Sequence, residues 1–169
     1  MNDATVGPDT SAPAIRLVRD LPDPPEVVWD SLTDREHLRR WFPCDVLVDG
    51  GWEVGAAITF SFEQADLTLT GTVLVHEPPR RLAFTWGEET LRFELTPDDG
   101  GTRLVLVDEL PASFAARNAA GWDDCLDRLV GTEPARGSDG WKARFARYAR
   151  AFEPVLGAQE GPPAGVNPD

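Results

Sequence analysis

The sequence is poor in cysteine and histidine, the residues that most often form disulfides, metal sites and nucleophile–base pairs. Its two cysteines, Cys44 and Cys125, are far apart and form neither a disulfide framework nor a CxxC pair, so we expect both thiols to be reduced. The two histidines, His37 and His76, have no metal-ligand spacing to the cysteines. GxSxG, GxGxxG and P-loop patterns are also missing. The sequence therefore predicts no metal site and no cofactor.

Long apolar segments are missing as well. No apolar run approaches the roughly 20 residues that a membrane-spanning helix needs. The first residues, MNDATVGPDTSAP, have neither the basic region nor the apolar region of a secretory signal. We therefore expect a cytoplasmic protein that is not inserted in a membrane.

Positive charge is scarce, and Lys142 is the single lysine among 16 basic residues. The formal net charge is −13. A surface this acidic repels phosphate groups and anionic lipids, which disfavours nucleic acids and membrane surfaces as partners.

What is present suits one globular domain. The chain has 169 residues, of which 41% are hydrophobic and 27% charged, enough for one sizeable core. Residues 1–13 and 157–169 are small, polar and rich in proline or glycine, and they are typical of disordered tails. We assign the domain to residues 14–156.

The first part of the domain predicts a strand followed by two short helices. The alternation in residues 15–19 indicates the strand. Asp23 with Glu26, and Thr33 with Glu36, have the spacing of N-terminal helix caps, which predicts helices starting at both places.

Between residues 44 and 109 the hydrophobic period changes to two. Short turn-like breaks separate the segments, which predicts an antiparallel meander with one apolar face. By this alternation we expect Arg92, Glu94 and His76 on the outer face. Three carboxylates lie near strand ends, namely Glu63, Asp108 and Glu109. We expect them to be solvated at the edge of the sheet, and a role as a catalytic acid or base is the less favoured alternative.

The segment GWDDCLDRL (121–129) predicts an amphipathic helix. Trp122, Cys125 and Leu126 fall on one side and the three aspartates on the other. We therefore expect Cys125 to be a buried apolar residue and not a catalytic thiol.

A second helical pattern follows at Trp141, Phe145, Tyr148 and Phe152. It is either a continuation of the preceding helix or a separate helix beside it. If this aromatic stripe is exposed, it provides a surface for a homodimer.

Five segments together carry a resemblance to a known family. They are VVWDSLTDREHLRRWFP (27–43), the glycine turn before ITFSF (50–62), HEPPRRLAFTW (76–86), TRLVLVDEL (102–110) and AARNAAGWDDCLDRLVG (115–131). In order and spacing the chain resembles the SRPBCC superfamily, and within it the proteins like the activator of Hsp90 ATPase homologue 1. The chain departs from relatives at residues 131–140, which interrupt the helical pattern, and at Asp108, where histidine or threonine is common.

The resemblance implies an α+β helix-grip fold with a β-α-α-β6-α layout and a cavity between the curved sheet and the C-terminal helix. Large side chains either line that cavity or fill it. The candidate ligand-binding residues are Trp41, Phe60, Phe62, Phe84, Trp86, Phe93, Leu104, Trp122, Cys125 and Leu126.

The favoured function is binding of a small apolar or aromatic molecule in this cavity, without catalysis. The alternative is a small enzyme of the polyketide cyclase or dehydratase type, which at least two convergent buried ionisable groups would favour. Regulation of Hsp90 is the weakest option, since the co-chaperones carry a separate N-terminal chaperone-binding domain and only residues 1–13 precede the fold here.

Overall fold

The predicted meander forms six strands of one antiparallel sheet. The computed structural model describes residues 3–7, 12–131 and 140–162, and within them the sheet has eight strands in the order β1-β2-β8-β7-β6-β5-β4-β3. The strands are β1 (Thr5–Gly7), β2 (Ala14–Leu21), β3 (Asp45–Val48), β4 (Ala57–Phe62), β5 (Leu67–Glu77), β6 (Arg81–Trp86), β7 (Glu89–Asp98) and β8 (Gly101–Glu109).

Four helices accompany the sheet in the described part of the chain. They are α1 (Pro25–Thr33), α2 (Arg35–Trp41), α3 (Ala115–Val130) and α4 (Gly140–Leu156). This order contains the expected β-α-α-β6-α layout, with β1 and α4 in addition. None of the helices in the described ranges is long and apolar enough to cross a bilayer.

The starts of α1 and α2 differ from the predicted caps. The N-cap of α1 is Pro24, and no side chain accepts a hydrogen bond there. The N-cap of α2 is Asp34, one residue after the predicted Thr33, and its Oδ1 accepts a hydrogen bond of 3.0 Å from the backbone N–H of His37. Asp34 lies three residues before His37, the same spacing that the prediction used for Thr33 and Glu36. A side-chain N-cap is therefore present at the start of α2, but Asp34 provides it and Thr33 does not.

The strands alternate as predicted between a face covered by helices and a face open to solvent. Leu91 and Phe93 on β7 are buried on the side of α1 and α2, whereas Arg92 and Glu94 on the same strand are exposed. Buried Leu106 lies opposite Phe93 on β8. The core therefore occupies the space between the covered face and the helices.

His76 lies on the covered face, so its predicted place on the outer face is wrong. The register of β5 against β6 shifts between Val73 and Val75. A β-bulge of this kind adds a residue and reverses the alternation beyond it. His76 consequently pairs with the buried Leu82, and its ring lies 5.6 Å from that of Trp29 on α1.

The two C-terminal patterns form separate helices. Helix α3 ends at Gly131, whose φ of 83° is in the left-handed region that ends many helices. Helix α4 packs beside α3 and buries Tyr148 and Phe152 inside the domain. The Trp141 and Phe145 rings stack on each other, 5.1 Å apart, and both are half-buried. Residues 132–139 of the predicted variable segment lie outside the described residues.

Asp123 is buried, so the prediction that all three aspartates of α3 face solvent is wrong for this residue. Its carboxylate pairs with the buried Arg19 on β2 and accepts a hydrogen bond of 2.9 Å from the Tyr148 hydroxyl. Arg147 donates to the same carboxylate at 3.2 Å. Helix α4 covers this side of α3, which the amphipathic pattern of α3 alone does not reveal.

The terminal segments contain structure inside the predicted tails. Strand β1 pairs with β2, and the backbone N–H of Ala4 donates a hydrogen bond of 3.0 Å to the Tyr148 hydroxyl. Near the other end, Gln159 accepts a hydrogen bond from the backbone of Ala116. The disorder predicted for 1–13 and 157–169 is therefore wrong for these residues, because edge pairing and side-chain contacts hold them.

Candidate ligand-binding cavity

A cavity of about 470 Å³ lies between α3 and the ends of strands β4 to β7. Its walls are mostly apolar, with aromatic rings from both the sheet and α3. The described residues that line it are Pro43, Phe62, Ala65, Leu67, Leu69, Trp86, Gly87, Glu88, Glu89, Pro111, Phe114, Arg117, Asn118, Gly121, Trp122, Cys125, Trp141 and Pro162.

Four of the ten predicted ligand-binding residues line this cavity, namely Phe62, Trp86, Trp122 and Cys125. The other six are buried in the core and do not line this cavity, so the structure gives no support for their predicted contact with a ligand. They are Trp41, Phe60, Phe84, Phe93, Leu104 and Leu126.

The reason is that the aromatic side chains fill one part of the concave space and line another. Phe42, at the end of α2, lies among them, with its ring 6.3 Å from Phe60 and 6.4 Å from Phe84. The same ring lies 5.1 Å from Trp86 and 5.5 Å from Trp122, which form the boundary with the cavity. The aromatic rings therefore fill the concave space beside Phe60 and Phe84, and they line a cavity beside Trp86 and Trp122.

Polar side chains converge at one end of the apolar cavity. Asn118 of α3 donates hydrogen bonds from Nδ2 to Oε2 of Glu89, at 2.8 Å, and to Oδ2 of Asp108, at 3.0 Å. The indole Nε1–H of Trp122 donates a third hydrogen bond, of 2.9 Å, to the same oxygen of Asp108. Asp108 is fully buried, so its predicted role as a solvated rim carboxylate is wrong.

Both carboxyl groups hold protons more strongly than usual. Burial and, to a smaller extent, the nearby charge of Asp108 together raise the pKa of Glu89 to about 8. Burial also raises the pKa of Asp108, to about 6, although the hydrogen bonds from Asn118 and Trp122 oppose this shift. The two groups share Asn118 as a hydrogen-bond donor and titrate as a pair.

The other ionisable residues of the wall have different environments. The Arg117 guanidinium lies over the Phe114 ring, 3.6 Å from its centroid, and attracts the Glu89 carboxylate. Glu88 is exposed at the edge. Burial raises the pKa of the Cys125 thiol to about 11, so it stays protonated at neutral pH and behaves as the predicted apolar residue.

Sequence reasoning missed Glu89 and Asn118, although signals for both were present. Glu89 has the alternation parity of the buried Leu91 and Phe93, which places it on the covered face of β7. Asn118 lies four residues before Trp122 on α3, on the same side of the helix. Asp108 likewise continues the buried row of β8.

No group of three or more histidine, cysteine, aspartate or glutamate side chains within the described ranges is arranged to hold a metal ion. The carboxyl pair at the cavity has amide and indole groups as its neighbours, and these donate hydrogen bonds to the carboxyl oxygens.

Residues 23–132 match the family described as activator of Hsp90 ATPase homolog 1-like protein. The chain belongs to this family. The match spans the two short helices, the meander and α3, and it confirms the resemblance that the sequence motifs carry. The family lies in the SRPBCC superfamily, and its helix-grip fold is the one described above.

Solved structures extend the comparison of the fold. CalU16 from Micromonospora echinospora is 23% identical, with a TM-score of 0.70 over 90% of this chain and 96% of that one. EF2215 from Enterococcus faecalis, a conserved protein of unknown function, is 21% identical, with a TM-score of 0.74 over 90% and 91%. DynU16, a protein of the dynemicin biosynthetic locus, is 28% identical, with a TM-score of 0.61 over 70% of this chain and 46% of that one. No curated protein matches the sequence.

Proposed function

We propose that this protein binds a small, mostly apolar or aromatic molecule in the cavity between the sheet and α3. The observation that carries the proposal is the cavity itself, whose volume of about 470 Å³ is within the range of small-molecule sites. Its wall combines the Phe62, Trp86 and Trp122 rings with one polar end. This arrangement suits a ligand that is apolar over most of its surface and polar at one place.

The apolar walls supply the main part of the expected affinity. Burying about 200 Å² of apolar ligand surface is worth about 5 kcal/mol, at roughly 25 cal/mol per Å². Packing against aromatic rings adds to this value, and the loss of ligand freedom opposes it. Since 5 kcal/mol corresponds to roughly 0.2 mM, we expect dissociation constants of about 0.1 to 1 mM for uncharged ligands of three or four rings.

Gly121 offers a test that separates the cavity from the stability of the fold. It lines the cavity on α3, and no described atom lies within 4 Å of the position that a Cβ would take. Glycine is a poor helix former, so a Gly121→Leu substitution should leave the free energy of unfolding unchanged or increase it by up to about 1 kcal/mol. The added side chain enters the cavity and should reduce ligand affinity at least tenfold.

The measurement is equilibrium dialysis with fluorene, an uncharged three-ring hydrocarbon, together with urea denaturation of each variant. Ala146→Leu is the matched control, because it adds an apolar side chain at an exposed position of α4. Equal fluorene binding by the wild-type protein and Gly121→Leu contradicts the proposal, as does the absence of binding to the wild type. Native mass spectrometry of protein purified from its own host then identifies the natural ligand.

A second candidate function is a small enzyme of the cyclase or dehydratase type that uses the same cavity. The observation that favours it is the carboxyl pair formed by the partly buried Glu89 and the buried Asp108, since a carboxyl group such as Glu89 that keeps its proton near neutral pH can act as a general acid. DynU16, which shares the fold, belongs to a biosynthetic locus and gives this candidate a little further support.

The enzyme candidate has its own assay. A β-hydroxy ketone such as 4-hydroxy-4-phenyl-2-butanone loses water to give a conjugated enone, which is followed by its absorbance. The enzyme should accelerate this reaction and Glu89→Gln should abolish the acceleration while retaining ligand binding. A wild-type protein that binds the ketone without accelerating dehydration supports binding alone. Stimulation of an Hsp90 ATPase is tested separately with the purified chaperone.

A further inference from the structure

We infer that residues 157–162, the C-terminal segment that follows α4, close one side of the cavity, and that release of this segment controls access to it. The segment lies against the 3₁₀ turn Ala112–Phe114 and the start of α3, and Pro162 at its end belongs to the cavity wall. The inference rests on the proposed function, because it concerns how a ligand enters and leaves the same cavity.

Hydrogen bonds hold the C-terminal segment in place. The backbone N–H of Glu160 donates to the carbonyl oxygen of Ser113 at 2.8 Å, and the Ser113 hydroxyl donates to Oε1 of Glu160 at 2.9 Å. Gln159 accepts a hydrogen bond of 2.9 Å from the backbone N–H of Ala116 and donates one of 3.1 Å to the carbonyl oxygen of Ala112. Gln159 thus satisfies one of the N–H groups that the first turn of a helix leaves without a partner.

Arg117 joins the C-terminal segment to the cavity wall. Its guanidinium lies over the Phe114 ring, 3.6 Å from the centroid, and its Nη1 donates to the carbonyl oxygen of Gly161 at 3.4 Å. Phe114, Arg117 and Pro162 all line the cavity. The residues that hold the segment therefore also form one side of the wall, and movement of the segment opens that side.

The C-terminal segment is held by polar contacts and buries little apolar surface. Each of residues 157–162 is half-buried or exposed. Hydrogen bonds at a surface exchange readily for bonds to water, and a segment with few buried apolar contacts opens locally without unfolding of the domain. A turn at Gly157, where φ is 83°, separates the segment from α4. The segment can therefore open while α3 and α4 stay in place.

The two cysteines provide a probe of access to the cavity. Both are buried, but Cys125 lines the cavity and Cys44 does not. Methyl methanethiosulfonate, a small uncharged thiol reagent, is added to the full chain at pH 8.5, and mass spectrometry of peptides follows the labelling of each cysteine. Opening of the C-terminal segment exposes Cys125 alone, whereas global unfolding exposes both thiols.

Two variants weaken the closure to different extents. Gln159→Ala removes the side-chain hydrogen bonds to Ala112 and Ala116, and it should increase the labelling rate of Cys125 at least about fivefold without a change for Cys44. Ser113→Ala removes one hydrogen bond and should increase the rate about two- to tenfold. Arg150→Ala, at an exposed position of α4, is the matched control and should change neither rate.

Ligand exchange is the second measurement. Fluorine NMR of 2-fluorofluorene with excess protein should show that Gln159→Ala increases the association and dissociation rates by the same factor and leaves the dissociation constant unchanged. The reason is that entry and exit pass through the same opening. Failure of this probe to bind the wild type contradicts the proposed function, and the labelling of Cys125 still decides whether the segment closes the cavity.

The labelling rates also define what overturns the inference. Equal labelling of Cys125 in the wild type and Gln159→Ala, including no labelling of either, means that access does not depend on the C-terminal segment. A parallel increase for Cys44 overturns the inference as well, because the substitution then acts through global stability. If Gln159→Ala does not fold, the rates for Ser113→Ala decide in the same way.

Discussion

Replacing Glu89 by glutamine should stabilise the protein in a pH-dependent way. Glutamine has the same shape and can accept the hydrogen bond from Asn118, while its amide can donate to Asp108. Unlike glutamate, it has no proton to lose. The substitution therefore removes the electrostatic cost of this partly buried carboxyl group and retains its contact with Asn118.

The expected magnitude follows from the raised pKa of Glu89, which is about 8 in the folded protein and 4.5 for an unperturbed side chain. Between those two values the folded state keeps a proton that the unfolded state releases, so wild-type stability falls as pH rises through this interval. At about 1.4 kcal/mol per pH unit the loss reaches about 3 kcal/mol at pH 7. Sharing of the proton with Asp108 reduces this figure, and we expect Glu89→Gln to be about 1 to 3 kcal/mol more stable than the wild type at pH 7.

Urea denaturation at pH 5.5, 7 and 9, followed by tryptophan fluorescence, measures this difference. The advantage of Glu89→Gln should be small at pH 5.5, increase to pH 8 and remain constant above it. Glu94→Gln, an exposed position on the same strand, is the matched control and should show no such trend. A difference that is independent of pH, or a variant less stable than the wild type at pH 9, would refute the reasoning.

Two further predictions concern stability, and thermal or urea denaturation checks both. Gly71→Ala should destabilise the protein by about 1 to 3 kcal/mol or more, because the new Cβ would overlap the carbonyl oxygen of Thr85, whereas Gly7→Ala, with open space around its Cβ, should change little. Asp123→Ala should cost about 3 kcal/mol, since it leaves the buried Arg19 with a weakened set of partners, and a loss below about 1 kcal/mol would contradict a structural role for this ion pair.

Much of the fold could be predicted because it depends on local patterns. The alternation along β7 places Phe93 inside and Arg92 outside, and the helical spacing of α3 places Trp122 and Cys125 in the interior. These patterns hold wherever one face of an element is buried and the other is solvated. His76 shows the limit, because a single bulge in β5 reverses the alternation without any mark in the hydrophobic pattern.

The candidate site was predictable only in part, for a related reason. Large aromatic residues were expected around the cavity, but whether each fills or lines it depends on how rings from different elements meet. Phe42 decides this, since its ring occupies the space beside Phe60 and Phe84 and leaves the cavity beyond Trp86. Such packing involves residues distant in the chain, and local periodicity carries no information about it.

The amino-acid sequence by itself determined the family, the order of strands and helices and the inward side of each strand free of a bulge, because propensity and periodicity act over a few residues. Tertiary structure alone decided that Glu89 and Asp108 accept hydrogen bonds from the same Asn118 amide. It also decided that Asp123 is enclosed by α4 and β2. Each of these carboxyl groups looks like an ordinary surface acid in the sequence. Burial and the choice of partner, which only the packed chain supplies, determine its charge and its role.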